Sequence, residues 1–438
     1  MMCVSKIINF FDNLKFLEKE LDFLEDKIVF YIRKWLKLNN SSTRSFIFIP
    51  KSKGGLGVIN PRIAFYAKRL SFILSVLNSD DEKTKLSARS SLFLHFEKRK
   101  AVLDYKHLNT FAGYVIENNK IVKHSKVYWS KSYWIHIFEM CQRENIQLLF
   151  CENSNMYKLS LQADEETSLS FSNHRSFQNV YKMTKIKDLE LKFKALSSQG
   201  RVARDSANYV DPQFTGILLN NTKIASDLIS FVYRARLQLL QCNSLMNVYF
   251  KTGRACALCN NEIESVAHVL NGCSKLKSLY QSRHDRVVNL IFNKIQSKNC
   301  TKMTLKDTPI KPSHFNSNQE SFVTRNNRPD IVLIDHVSKS VTITEIAIPF
   351  DGYIKKTYET KFDKYFPLCL EINAIGYRTN IIILLIGSLG HVSNKFISGL
   401  IKNNLSRPES KHLARFCSTS AMLGSLFAWK KRCRLTLD

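Results

Sequence analysis

The sequence predicts a multidomain chain: mostly α-helical N-terminal and linker regions, a small Cys-Cys-His-Cys knuckle, and a C-terminal α/β domain. Three observations predict it. Apolar residues near the N-terminus (Ile8, Phe11, Leu14, Leu17, Leu21, Leu24, Ile28, Tyr31, Trp35) recur every three or four positions, the period of a helix. Cys256, Cys259, His268 and Cys273 are spaced as ligands of one metal ion. From about residue 301 the apolar segments read strand, turn, strand, helix, strand and then one or two helices, the order of a sheet with helices on its faces. The expected boundaries are 1–95 for a helical region and 96–200 for a linker whose fold the pattern leaves open. A basic helical linker with the knuckle at 256–273 follows over 201–300, and the α/β domain occupies 301–438.

Bulk properties narrow the function classes. Sixty-five Lys and Arg against 37 Asp and Glu leave a net charge of +28 in 438 residues. A charge of that size spread along a chain usually serves a polyanion, nucleic acid first. An anionic membrane surface is the competitor, with no lipidation signal or basic amphipathic anchor in its favour. The longest apolar stretches, 70–77 and 381–386, are far too short to span a bilayer. No apolar segment near the N-terminus reads as a secretory signal, and an odd cysteine count of 11 at irregular spacing does not suggest a disulfide framework. A reducing intracellular setting is expected.

Taken in order, helical spacing runs over about 5–38, and a polar break at 39–43 precedes a strand-like run, Phe46-Ile-Phe-Ile-Pro50. Gly54-Gly-Leu-Gly57 lacks the Gly-Lys-Ser/Thr of a phosphate loop and reads as a tight turn before a second helical pattern ending at Leu77. Asp80-Asp81 leads into Glu82-Lys83, an exposed helix start rather than the apolar hairpin in which polymerase aspartates sit, and no polymerase motif occurs elsewhere. Tyr128-Trp-Ser-Lys-Ser-Tyr-Trp134 reads as aromatic packing. A cation-studded helical run covers 227–247, and another basic helix covers 276–295. Beyond 301 the expected elements are strands at 331–334, 341–349 and 381–386, a turn at 336–340, and a helix at 353–374.

In the knuckle, Cys256-Ala-Leu-Cys259 brackets a two-residue turn, His268 follows after eight residues and Cys273 after four more. Two thiolates across such a turn can share a Zn²⁺, and a following His and Cys close a tetrahedral structural site with no open position. Asn271-Gly272 supplies flexible backbone ahead of Cys273. The plain alternative is three buried reduced cysteines and a core histidine. Lys251, Arg254, Lys275, Lys277, Arg283 and Arg286 flank the cluster as candidate nucleic-acid contacts, with Arg234 and Arg236 on the helix before it.

Arg328-Pro-Asp330 opens the C-terminal hairpin, and Glu345 lies inside the apolar strand Val341-Thr-Ile-Thr-Glu-Ile-Ala-Ile-Pro349. A carboxylate there is costly without a cation. An Asp beginning one strand and a Glu within the next can reach one Mg²⁺, which polarises a phosphate and lowers the pKa of an attacking water. A lysine is needed for the charge that develops on phosphorus. Ala347 fills the usual Glu-x-Lys position, so the lysine must come from the next helix, where Lys361, Lys364 and Tyr365 share one face. The alternative is a turn aspartate and an edge-strand glutamate.

These residues, in this order, resemble the C-terminal part of an R2-like non-LTR retrotransposon polyprotein. Arg33-Lys-Trp-Leu36 with Gly54-Gly-Leu-Gly57 resembles the thumb that trails such reverse transcriptases, and Phe231-Val-Tyr-Arg-Ala-Arg-Leu237 resembles the basic helix before the family's knuckle. Arg283-His-Asp285, otherwise an ordinary helix-surface triplet, is similar to a short signature between knuckle and nuclease. Arg328-Pro-Asp330, Glu345-Ile-Ala-Ile-Pro349, Lys361-Phe-Asp-Lys-Tyr365 and Gly387-Ser-Leu-Gly390 follow in the family's order.

The resemblance implies a restriction-endonuclease-like PD-(D/E)xK domain. Asp330 and Glu345 would hold catalytic Mg²⁺, with Lys361 catalytic and Lys364 and Tyr365 in support, and structural Zn²⁺ would sit in the knuckle. It adds His284 and Arg328 to the candidate nucleic-acid contacts. The family often carries Asp where Glu345 stands. Its domain nicks double-stranded target DNA, and the freed end primes reverse transcription of element RNA, which implies a nuclear protein made in the cytoplasm. Fingers and palm have no counterpart here, so a truncated copy or a partial gene product is expected. A catalytically inactive nucleic-acid-binding remnant or scaffold is the other class of reading.

Overall fold

The computed structural model describes residues 18–100, 133–162, 168–215, 224–317 and 321–435. Among the described residues the chain is mostly helical with two small sheets, and it divides into two compact units, Met1–Val29 with Val58–Leu189 and Phe30–Gly57 with Glu190–Asp438. Among the described residues no helix is long and apolar enough to cross a membrane.

The helix α1 (Glu18–Leu36) realises the later part of the N-terminal apolar period; the part before Glu18 lies outside the described residues. In the first unit Leu21 of α1 joins a core with the apolar face of α3 (Pro61–Leu77), for which the intervening α2 is Ser45–Phe48 of the second unit. Pro61 opens α3, and Asn60 caps it by accepting from Ile63 N at 3.0 Å. α4 (Glu82–Lys100) begins where Asp80-Asp81 predicts, with Asp81 accepting from Thr84 N at 2.9 Å. The stretch whose fold the pattern leaves open contains α5 (Tyr133–Glu144) and an antiparallel sheet of β1 (Ile146–Cys151), β2 (Met156–Gln162) and β3 (Ser168–Phe171). α6 (His174–Ala195) follows and adds Phe177 and Tyr181 to the same core. Of the aromatic stretch at 128–134, only the Trp134 side chain is described; it is buried and its indole nitrogen donates to Ser91 Oγ at 3.0 Å.

Two expectations in the second unit are corrected. Phe46-Ile-Phe-Ile-Pro50 is not a strand; α2 is a single helical turn with Phe46, Ile47 and Ile49 fully buried. An apolar run buried all round carries no period to distinguish the two forms. The tight turn follows it: Gly54 has φ +89°, and a Cβ on Gly55 would lie 2.1 Å from Ile49 O.

The run at 227–247 is two helices. After the short α7 (Arg201–Ser206) and α8 (Pro212–Thr215) come α9 (Ser226–Arg236) and α10 (Asn243–Phe250). α9 ends in a Schellman turn in which Gln238 takes φ +58° and Leu239 N donates to Arg234 O at 2.7 Å. Nothing short of that geometry marks the break, because glutamine is not the residue that signals it.

The C-terminal layer keeps the expected element order from 331 onward and adds an edge strand at 303–306 ahead of it. α11 (Lys277–Lys298) leads into β4 (Met303–Lys306), β5 (Ile331–Asp335) and β6 (Ser340–Ala347), then α12 (Ile354–Ala374), β7 (Arg378–Leu385), α13 (Phe396–Lys402) and α14 (Arg407–Leu435). The sheet order is β4-β5-β6-β7, antiparallel except for β6 and β7, which run parallel because α12 carries the chain back between them. Tyr365, Leu368, Cys369 and Ile372 of α12 pack with Val332, Ile334, Val341 and Ile343 on one sheet face. α13 approaches the other face so closely that a Cβ on Gly399 would meet Leu384 and Ile382 at 2.7 and 2.8 Å.

Candidate metal centre and carboxylate–lysine site

An isolated bridge between Ala255 and Ile263 closes the loop that holds Cys256 and Cys259, with Cys256 N donating to Glu262 O at 2.8 Å. His268 and Cys273 come together through a π-helical turn over His268–Gly272, in which Cys273 N donates to His268 O at 2.9 Å. A five-residue separation overshoots an α-turn, and the wider turn brings it back into register. Cys256 Sγ lies 3.8 Å from Cys273 Sγ, and Cys259 Sγ lies 3.4 Å from His268 Nε2. All four ligand atoms fall within 4.8 Å of one another. Zinc bonds of about 2.3 Å to sulfur and 2.0 Å to nitrogen imply edges of roughly 3.5–3.8 Å in a tetrahedron, so this Cys₃His set fits a metal such as zinc.

His268 Nδ1 meets Glu262 Oε2 at 2.9 Å, which leaves Nε2 facing the thiols. Burial raises Cys256 to about 12, whereas the Asn261 N–H brings Cys259 down to about 7. The fully buried Glu264 braces the cluster: it accepts from Asn243 N at 2.9 Å and Ala257 N at 3.0 Å, and pairs with Arg432 of α14. Sequence reasoning passed over Glu264 and Arg432, whose pairing spans 168 positions.

The candidate nucleic-acid contacts separate on inspection. Lys251, Arg254, Lys275, Lys277 and Arg286 are exposed, and Arg234 is half-buried. Two expectations are corrected. Arg236 is buried and donates to Leu389 O at 2.8 Å. Arg283 is buried and donates to Leu270 O at 3.1 Å and Ser425 Oγ at 2.7 Å; burial lowers it to about 10. Both are structural cations, not surface contacts. Arg328 is exposed but engaged, with Nε and Nη2 on the Asp307 carboxylate at 2.9 and 3.0 Å.

Asp330, Glu345 and Lys361 do converge. Ile331 pairs with Thr344 in register, so Asp330 faces Glu345 across the β5–β6 ladder. Asp330 N donates to Glu345 Oε2 at 3.3 Å, and Ile346 N donates to Asp330 Oδ2 at 2.7 Å. Glu345 is 3 % exposed, and Lys361 Nζ donates to its Oε1 at 2.6 Å. Burial raises the Glu345 pKa, the Asp330 charge adds to the rise, and Lys361 and Lys364 oppose it. Lys364 Nζ donates to Tyr365 OH at 2.8 Å, and that hydroxyl donates to Arg328 O at 3.0 Å. Tyr365 thus fixes the loop that presents Asp330.

His284 does not point to bulk solvent as a helix-surface residue would. Its Nε2 lies 3.0 Å from Ile346 O and 3.5 Å from Asp330 Oδ2. Burial lowers its pKa, but the bonds to Asp330 and Ile346 outweigh that and lift it to about 9.

A second buried acid was not singled out from sequence. Asp351 accepts from Leu389 N at 2.6 Å and His391 N at 3.1 Å, and it anchors the Gly387-Ser-Leu-Gly390 loop. A Cβ on Gly387 would lie 2.4 Å from its carboxylate. The glycine pair hinted at a tight turn; nothing in the sequence pointed to Asp351 as its partner.

No family model matches the chain, and no curated protein matches it.

Proposed function

We propose that the C-terminal α/β layer is a metal-dependent, restriction-like DNA endonuclease, and that the chain is the C-terminal part of a non-LTR retrotransposon protein acting on nuclear DNA. The observation that carries the reading is the meeting of Asp330, Glu345 and Lys361 at one end of the β5–β6 ladder, with an ammonium 2.6 Å from a buried carboxylate. A carboxylate whose ionisation is made costlier by burial and by the neighbouring Asp330 charge, as at Glu345, suits a divalent cation. Such a cation, held by Asp330 and Glu345, would polarise the scissile phosphate and acidify a water. Lys361 then balances charge on the phosphate, while Tyr365 and Lys364 keep the Asp330 loop in place. The metal knuckle and the exposed Lys251, Arg254, Lys275, Lys277 and Arg286 supply attraction to the DNA target and to element RNA.

Nicking of supercoiled plasmid by the full chain in Mg²⁺ tests the reading. Relaxed circles are expected with the native chain and not with Asp330→Ala or Lys361→Ala. Salt-dependent DNA binding with no nicking in any divalent metal would sink it and favour a binding remnant instead.

A further inference from the structure

A cavity of about 320 Å³ opens beside the carboxylate site on the same sheet face. Tyr209 and Tyr358 are its aromatic lining, and the exposed Lys355 and Lys395 line it together with Ser393 and Asn394. Leu385, also in the lining, pairs in register with Ala347, two residues beyond the pairing of Ile383 with Glu345. That step is about 7 Å along the strands, or roughly two base steps of a stacked strand.

The chemistry of the lining is specific. Lys395 Nζ lies 4.0 Å from the Tyr358 ring centre, and Lys355 Nζ lies 5.7 Å from that of Tyr209. Ser393 is buried, and its hydroxyl has no hydrogen-bond partner among the described residues. An unsatisfied hydroxyl at that depth costs free energy unless a ligand or water completes it. The Tyr358 ring begins a row along α12: Phe362 stacks on it at 6.4 Å with 14° between planes, and Phe366 follows at 5.9 Å and 27°. Phe366 is 48 % exposed at the far end. One acid, Glu359, also lines the cavity, which leaves two lysines against one carboxylate.

We propose that this cavity binds an unpaired nucleotide of single-stranded nucleic acid, its phosphates drawing the ammonium groups of Lys355 and Lys395 off the Tyr209 and Tyr358 rings and its base taking their place against the tyrosine walls. A paired base has both faces covered by its neighbours and cannot present one to a tyrosine; an unpaired base can. Asn394, whose NH₂ donates to Asn208 O at 3.2 Å, offers its carboxamide oxygen to the base edge, and a turn of the enclosed Ser393 hydroxyl toward the cavity would add a donor. Cavities that take small-molecule ligands run to about 300–1,000 Å³, so this one, at about 320 Å³, lies at the lower end and is of a size for a base with its sugar. Its role beside a cut strand rests on the nuclease reading; the binding itself does not.

The test is fluorescence anisotropy of a labelled single-stranded oligodeoxynucleotide with the full chain, without added divalent metal so that no cleavage intervenes. Tyr358→Ala and Tyr209→Ala are each expected to weaken binding about tenfold, with Tyr358→Phe retaining it. Lys355→Gln with Lys395→Gln is expected to flatten the salt dependence by about 0.7 logarithmic units per charge. Phe427→Ala, at an aromatic 61 % exposed elsewhere, serves as the control and leaves affinity unchanged. Equal affinities for the native chain and both alanine variants would overturn the proposal, as would a duplex bound as tightly as the single strand and weakened equally by Tyr358→Ala. Selective loss of oligonucleotide binding in a chain that nicks nothing would keep this inference and remove the nuclease reading. Nicking with unaltered binding would do the reverse.

Discussion

His284 Nε2 lies 3.5 Å from Asp330 Oδ2 and 3.0 Å from Ile346 O, so one imidazole bridges an acidic side chain and the backbone of the neighbouring strand. Asp330 is also held by Ile346 N at 2.7 Å, which makes His284 the outer support of a carboxylate already fixed on its inner side. Residues that orient a metal-binding carboxylate typically cost 10–100-fold when removed. On the proposed nuclease reading, His284→Ala is expected to reduce nicking by about that factor. Asp285→Ala, at an exposed neighbour, is expected to change it less than about threefold. Equal rates for native chain and His284→Ala in single-turnover nicking would remove the support role.

Arg283, one residue earlier on α11, is fixed in a different way. Its guanidinium ties Leu270 of the knuckle to Ser425 of α14, and its aliphatic stem lies where a Cβ on Gly424 would be 2.7 Å away. Truncation leaves a buried carbonyl without that donor and a cavity between two helices. Arg283→Ala is expected to cost about 2–4 kcal/mol, read as a lower urea midpoint. Arg286→Ala, exposed one turn on, should leave stability within about 0.5 kcal/mol and weaken DNA binding instead. Unchanged urea unfolding in Arg283→Ala would contradict the structural role.

The metal cluster makes its own prediction. Cys256, Cys259, His268 and Cys273 use every position of a tetrahedron, so purified chain should carry one equivalent of zinc by elemental analysis. Because metal binding is linked to folding, Cys273→Ser should lose the metal and lower the thermal midpoint of the second unit. Cys300→Ser, at an exposed cysteine away from the cluster, should do neither. Zinc retained in Cys273→Ser at full occupancy would overturn the ligand assignment.

Much of this site was legible in the sequence, for reasons that lie in local spacing. Glu345 was conspicuous as a charge inside an apolar strand, and Lys361, Lys364 and Tyr365 shared a helical face by arithmetic alone. The knuckle ligands were legible because metal coordination constrains both residue type and spacing. The burial of Arg236 and Arg283 was not legible: their acceptors come from Leu389 and Ser425, 153 and 142 positions away. A basic residue on a basic helix reads as surface until such a partner is known. The break after α9 was hidden for a local reason, since Gln238 adopts the left-handed turn that glycine would have advertised.

Asp351 carries the pH prediction. Burial raises its carboxyl to about 6, with Arg236 and the Leu389 and His391 N–H groups opposing the rise. An unfolded aspartate ionises near about 3.9. Between those values the folded chain binds more protons than the unfolded one, so this contribution is present below about 3.9 and lost as pH rises through about 6. A shift of roughly two units corresponds to about 3 kcal/mol. Asp351→Asn removes that slope and also costs about 1–3 kcal/mol at every pH, because its NH₂ meets a backbone N–H that the carboxylate accepted. Urea unfolding at pH values on either side of this window should therefore show the native chain losing stability relative to the variant as pH rises. A parallel pair of profiles would assign the slope to another group. Gly387→Ala should lower stability without that pH signature, since its Cβ would displace the carboxylate from 2.4 Å whatever its protonation.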